Sequence, residues 1–221
     1  MPGAQRIPRP PTVRLGGAAA WSEVAPEKRR LPLDEVRRRI AAFPPPAAPP
    51  PRVPDVQAAA VLVPLFEAGG ETRVILTRRP ETMPSHRGDV AFPGGKFHPE
   101  LDPTLRDAAL RECEEEIGLP RSAIEVVAEL DTLSTVTSRF LVAAYVGVVD
   151  GVPKLVPDPR EVERVFDVAL SELMADGVHR EEHWGTGVLT RDVHIFELED
   201  ETVWGLTARI LSGFLTLLMR D

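Results

Sequence analysis

The 221-residue chain has a single cysteine, Cys113, so no intrachain disulfide can form. A reducing compartment suits such a chain, and a cytoplasmic location is expected. No apolar run approaches the roughly 18 to 20 residues that a membrane span needs, so no membrane partner is expected. The amino end lacks the basic-then-apolar pattern of a secretory leader. Its arginines resemble those of a transit peptide, but Glu23, Glu27, Asp34 and Glu35 count against one. Basic residues are also in deficit. The net charge of -8 argues against general nucleic-acid binding, which rests on a basic surface. No internal repeat is visible. What is present is 43% apolar residues, enough for a domain of this length to bury a core unaided.

Proline is abundant but uneven. Thirteen of the 23 prolines fall in the first 55 residues, with Pro44-Pro45-Pro46 and Pro49-Pro50-Pro51 favouring extended polyproline geometry. Residues 1–55 therefore read as a Pro/Arg-rich arm. Within it, Leu33, Val36, Ile40 and Phe43 recur at helical spacing, with Arg37 to Arg39 mostly on the other side. This short helix either packs on the domain ahead of a stiff linker or forms part of a docking arm for an anionic partner.

From residue 56 to 221 strands and helices alternate. Ala58 to Phe66 and Thr72 to Thr77 read as strands around the Gly69-Gly70 turn. Leu105 to Ile117 reads as a helix closed by Gly118. Further strands are predicted at Ile124 to Leu130, Phe140 to Val149, Phe166 to Leu170, Val188 to Thr190 and Val193 to Leu198. A terminal helix is predicted over Trp204 to Met219. The class is α/β or α+β around a central mixed sheet.

The segment Arg111-Glu112-Cys113-Glu114-Glu115-Glu116-Ile117-Gly118-Leu119 carries the chemistry. On a helical wheel Glu115 and Glu116 fall within about 60° of Glu112, on either side of it. Ala109, Leu110, Cys113 and Ile117 form a separate apolar stripe. Arg111 stands four residues before Glu115, where a salt bridge can orient that carboxylate. Three carboxylates this close repel unless a divalent cation neutralises them, and hard oxygen ligands suit Mg²⁺ or Mn²⁺. A solvated acidic face is the alternative. The preceding Phe92-Pro93-Gly94-Gly95-Lys96 favours the metal site: two glycines allow close backbone approach to an anionic ligand, and Lys96 adds positive charge.

Together these residues resemble the Nudix box, G-x5-E-x7-R-E-U-x-E-E-x-G-U with U aliphatic. The second half matches throughout, with Cys113 as the first U. The stretch from Gly95 to Arg111 is two residues longer than the standard spacing, so both Glu100 and Asp102 are candidates for the box's first Glu. The resemblance implies a Nudix fold, a central mixed β-sheet flanked by helices as an α/β/α sandwich. It further implies that Glu112, Glu115 and Glu116 bind one or more divalent ions bridging a substrate diphosphate, with Arg111 beside them. The metal would lower the pKa of a bound water while a carboxylate takes its proton. That base is either a box glutamate or a residue on a distant loop, for which Glu161 is the candidate.

Upstream, Leu76-Thr77-Arg78-Arg79 and His86-Arg87-Gly88-Asp89-Val90-Ala91-Phe92-Pro93-Gly94-Gly95 are similar to the signature of the coenzyme A pyrophosphatase branch, as is Trp204-Gly205-Leu206-Thr207-Ala208. The resemblance runs from about Gln57 to Leu218 and implies coenzyme A or an acyl derivative as substrate. Arg78, Arg79, His86, Arg87, Gly94, Gly95 and Lys96 are its implied substrate contacts. Ile75, Pro80, Met83 and Pro84 depart from the pattern, and Pro84 replaces an arginine suited to bidentate anion recognition. His86 contacts substrate, assists proton transfer or makes a loop-stabilising hydrogen bond. His179, His183 and His194 have no metal-ligand spacing with Cys113, which argues against a zinc site. Leu206, Ile210, Phe214, Leu217 and Leu218 form an apolar stripe for core packing or a homodimer interface. The other readings are hydrolysis of another nucleoside diphosphate compound, such as ADP-ribose, a dinucleotide or a nucleoside triphosphate, and a non-catalytic nucleotide-binding module.

Overall fold

The computed structural model describes residues 5, 7–42, 56–83, 86–135, 139–187 and 190–220. Phe43, the polyproline runs, Pro84 and Val188 lie outside the described residues. In chain order the elements are β1 (Val13–Leu15), α1 (Leu33–Ala41), β2 (Gln57–Ala68), β3 (Glu71–Arg78), β4 (Val90–Ala91), β5 (Gly94–Lys96) and α2 (Leu105–Ile117). There follow β6 (Ile124–Glu129), β7 (Leu133–Ser134), β8 (Phe140–Val149), β9 (Arg164–Ala169) and α3 (Leu170–Leu173). The last are β10 (His179–Trp184), β11 (Arg191–Glu197), β12 (Thr202–Trp204) and α4 (Gly205–Leu218).

The larger sheet runs β4-β3-β2-β8-β6, with β5 also on β2, β7 on β8 and β9 on β3. It is mixed because β2 and β8 pair in parallel, Gln57 to Leu65 against Phe140 to Val148, while the other pairs are antiparallel. Period-two alternation sends neighbouring residues to opposite faces. Val63, Leu65, Val74, Leu76, Ala144 and Val146 join one buried cluster, which includes side chains of α1 and α4. Ala60, Leu62, Ile75, Ala143 and Tyr145 join a second one under α2. Both faces are thus covered, giving an α/β/α sandwich. Ile210, Phe214 and Leu218 of the terminal stripe are buried in the first cluster, with Leu206 and Leu217 partly buried against it.

A smaller antiparallel sheet, β1-β10-β11-β12, lies outside this sandwich. Residues 7–42 are tied to both parts. Val13 to Leu15 pair with Glu182 to Trp184. Trp21, Leu31, Val36 and Ile40 are buried in the same cluster as α4. Arg29, only 4% exposed, donates to the carbonyls of Val24 and Met174 and to Asp176.

Candidate active site

Helix α2 begins at Thr104, whose hydroxyl accepts from the Asp107 amide in the usual N-cap manner. It ends at Gly118 with φ 67°, the left-handed closure expected from the sequence. Gly118 is also needed for space, because a Cβ there would stand 2.9 Å from the Val156 carbonyl. The chain at 156–158 runs along this helix end: the amides of Val156 and Asp158 donate to the carbonyls of Ile117 and Glu116. These bonds satisfy acceptors that a helix C-terminus otherwise leaves open. They also carry the following turn, closed by the Glu161 and Val162 amides onto the Asp158 carbonyl, back to the carboxylates of α2.

Glu112, Glu116 and Glu161 consequently come together, each offering a carboxylate oxygen within 4.8 Å of the others. Glu115 is not in this group. It points outward, with its side chain 58% exposed, and accepts from the Arg111 guanidinium at 3.0 Å. The wheel places Glu115 and Glu116 symmetrically about Glu112, but β5 covers only the Glu116 side. The Gly94 amide donates to Glu116 at 3.1 Å.

The glycine pair lies in a strand: Gly94 and Gly95 pair with Val61 and Ala60 of β2. A Cβ on Gly95 would overlap the Glu112 carboxylate. The glycines therefore admit the protein's own carboxylates close to the strand backbone.

Arg111, 7% exposed, organises the outer side of the site. Its Nε and one terminal nitrogen donate to the two oxygens of Asp102 at 2.8 and 3.0 Å. The other terminal nitrogen reaches Glu112 and Glu115, and a further bond goes to the Lys96 carbonyl. Asp102 is 2% exposed and also accepts from the His98 amide. Glu100 is exposed beside His98. Of the two candidates for the first acidic residue of the motif, Asp102 thus partners Arg111. The hydrogen bond from Arg111 holds the Asp102 pKa below the usual carboxylate range.

Burial acts the other way on the inner carboxylates. It pushes the Glu116 pKa up to about 8, against the stabilising Gly94 amide and with Glu112 adding repulsion. The Glu112 pKa is also raised by burial, although Arg111 opposes the shift. A protein carboxylate is seldom held in this state without a function or a counter-charge. Three oxygen donors, two of them desolvated, fit a hard divalent cation.

The remaining sequence-predicted residues are spread around this centre. The Arg79 charge lowers the Glu116 pKa, and its buried Nε has no hydrogen-bond partner among the described residues. Arg78 stands 3.6 to 3.8 Å from Glu81, Glu163 and Glu201, so its charge is already shared. Arg87 donates to the Met83 carbonyl. His86, at φ 55°, sits 3.1 Å from Asp89, a loop-stabilising contact that raises its pKa. Asp89 accepts in turn from the Trp204 indole at 3.1 Å. Lys96 extends over the Phe140 ring at 5.6 Å. Sequence reasoning did not find the Trp204–Asp89 contact, because it joins two motif segments 115 residues apart.

Residues 56–188 match the NUDIX domain family model. The chain is 41% identical over 160 residues to Nudix hydrolase 22, chloroplastic, of Arabidopsis thaliana, covering 69% of this chain and 52% of that one. It thus spans about half the length of the plant relative. It is 36% identical over 154 residues to the uncharacterized Nudix hydrolase NudL of Photorhabdus laumondii, covering 69% of this chain and 80% of the relative. A solved MutT/nudix family protein from Enterococcus faecalis is 18% identical with TM-score 0.48, over 75% of this chain and 63% of that one. The chain belongs to the Nudix hydrolase family. Among the described residues no helix is long and apolar enough to cross a membrane.

Proposed function

We propose that this chain hydrolyses the pyrophosphate bond of coenzyme A or acyl-coenzyme A, giving 3′,5′-ADP and 4′-phosphopantetheine or its acyl form. The observation that carries the reading is the convergence of Glu112, Glu116 and Glu161, with the charge of Arg79 acting on Glu116 and its buried Nε without a hydrogen-bond partner among the described residues. Glu112 and Glu116, half-buried and buried on a rigid helix, are the residues to hold Mg²⁺ or Mn²⁺. When bound, such an ion lowers the pKa of water and offsets charge on a diphosphate. Glu161 is exposed on the turn after Asp158, and its carboxylate accepts the water's proton. Glu115 serves by fixing Arg111, and Arg79 supplies positive charge for a phosphate oxygen. The coenzyme A assignment rests on the Arg78-Arg79 and His86 to Gly95 signature. A cytoplasmic location belongs to the same reading.

The test is a product assay by mass spectrometry with Mg²⁺ and with Mn²⁺, offering coenzyme A, acetyl-coenzyme A, ADP-ribose, NADH and a nucleoside triphosphate in parallel. Metal-dependent 3′,5′-ADP, fastest from the coenzyme A substrates, is expected. AMP from ADP-ribose or NADH would move the substrate to another nucleoside diphosphate compound. No product from any of them would count against hydrolysis and favour a nucleotide-binding module.

A further inference from the structure

Three of the five histidines lie on the smaller sheet, on one face of the β10–β11 ladder. Cross-strand partners share a face of a sheet, and residues two apart along a strand do so as well. His179, Glu181 and His183 therefore face the same way as their partners Phe196, His194 and Asp192. The inner end of this row is packed: the His179 ring lies 5.1 Å from Trp21 and 4.8 Å from Phe196. The outer end opens on a surface cavity of about 530 Å³ lined by Arg14, Leu15, His183, Thr190 and Asp192.

We propose that Glu181, His183 and Asp192 form a second metal site, taking a divalent transition ion of the zinc type. These side chains offer one ligand atom each within 4.8 Å of one another. His183 stands between the two carboxylates, its Nδ1 2.6 Å from Asp192 and its Nε2 3.8 Å from Glu181. A tetrahedral zinc ion with bonds of about 2.0 to 2.2 Å spaces its ligand atoms by roughly 3.3 to 3.6 Å, so binding exchanges the 2.6 Å His183–Asp192 hydrogen bond for ligation by the exposed Asp192 and one ring nitrogen. The mixed nitrogen and oxygen set separates this site from the all-carboxylate one, since imidazole suits zinc-like ions and not magnesium.

Two further features support a built site. The Gly16 backbone packs against the Glu181 side chain so closely that a Cβ there would come within 2.6 Å of its carboxylate oxygen. The Gly16 amide, just after β1, donates to the Glu181 carbonyl at 2.8 Å and holds the backbone of Glu181 in place. His194, directly across from Glu181, is itself oriented by a 3.2 Å contact between its Nδ1 and the His179 Nε2. Two of the three side chains, His183 and Asp192, line the cavity, through which water reaches them. Arg14 adds a positive charge at the rim, which the two carboxylates outnumber.

Equilibrium dialysis of the full chain against Zn²⁺ in excess Mg²⁺, with metal content read afterwards, tests the site. Glu112→Gln and Glu116→Gln are introduced together to silence the carboxylate helix. The expected result is about one zinc retained per chain in that background, with affinity falling roughly tenfold or more on adding His183→Ala or Asp192→Asn. Co²⁺ bound to the unmodified chain should show the intense visible d–d bands of tetrahedral coordination and lose them in a His183→Ala protein that keeps the parent's circular dichroism. Zinc held equally well by the His183→Ala and Asp192→Asn proteins would overturn the proposal. So would zinc that disappears with the carboxylate-helix substitutions alone.

Discussion

Asp102 and Arg111 meet as a two-pronged ion pair, Nε to Oδ1 at 2.8 Å and a terminal nitrogen to Oδ2 at 3.0 Å, with both residues buried. Through it a loop residue determines where the guanidinium touching Glu112 and Glu115 can stand. Removing one partner from a buried pair leaves an uncompensated charge, at a cost of about 3 to 5 kcal/mol. Asp102→Asn should lower unfolding stability by an amount of that order and reduce turnover. Glu100→Gln, on the exposed neighbour, should do neither. Chemical denaturation and a rate assay on the two variants check this.

The raised Glu116 pKa makes the stability of the metal-free protein depend on pH. Its folded value of about 8 lies above the ordinary 4.5, so folding favours the protonated carboxyl. The stabilising contribution is complete below about pH 4.5 and declines as the pH rises to about 8. In chelator, Glu116→Gln should remove this component of the decline in melting temperature between pH 5 and 8. Mg²⁺ should raise the melting temperature of the parent most at the alkaline end, where the site is charged. A parent and variant with superimposable pH profiles would show that Glu116 titrates normally.

Glu161 and Glu116 should separate by kinetic signature. Glu161→Gln is expected to lower kcat by roughly 10²- to 10⁴-fold with little change in the metal concentration needed for half activity. Glu116→Gln should raise that concentration as well as lowering turnover. If Glu161→Gln shifts the metal dependence equally, Glu161 is a ligand and the proton goes elsewhere.

Trp21 tests how far residues 7–42 belong to the folded body. Its ring is 2% exposed and packs beside His179 and Phe196. Truncating a buried aromatic costs about 3 to 5 kcal/mol. Trp21→Ala should therefore destabilise the whole protein in one cooperative transition, measured by calorimetry.

Local chemistry made much of this architecture readable in advance. The cap-to-cap extent of α2, the alternation in β2 and β3 and the apolar run of β8 all follow from short-range pattern. Strand β10 did not, because His179-Arg180-Glu181-Glu182-His183-Trp184 shows no apolar alternation. Its fully buried Glu182 is instead satisfied by Arg9, Arg180 and the Trp184 indole, contacts that only the assembled sheet brings into place. The same holds at the carboxylate centre. A wheel gives the directions of Glu115 and Glu116 but not which of them β5 covers. Glu161 arrives through backbone bonds to a helix end some 45 residues earlier. The lengthened loop left Glu100 and Asp102 equivalent until burial distinguished them.

The span between Lys96 and Leu105 is tethered at both ends, by β5 pairing on one side and by Asp102 and the Thr104 cap on the other. The extra length lies between the tethers, in the exposed tip that joins them. The tip at Pro99 to Leu101 is exposed, yet the turn closes on Asp102: the His98 carbonyl accepts from the Asp102 amide, and the His98 amide donates to the Asp102 carboxylate. A peptide grafted into that turn would pull at the same bonds that set Arg111, so the surface tip and the buried ion pair form one mechanical unit.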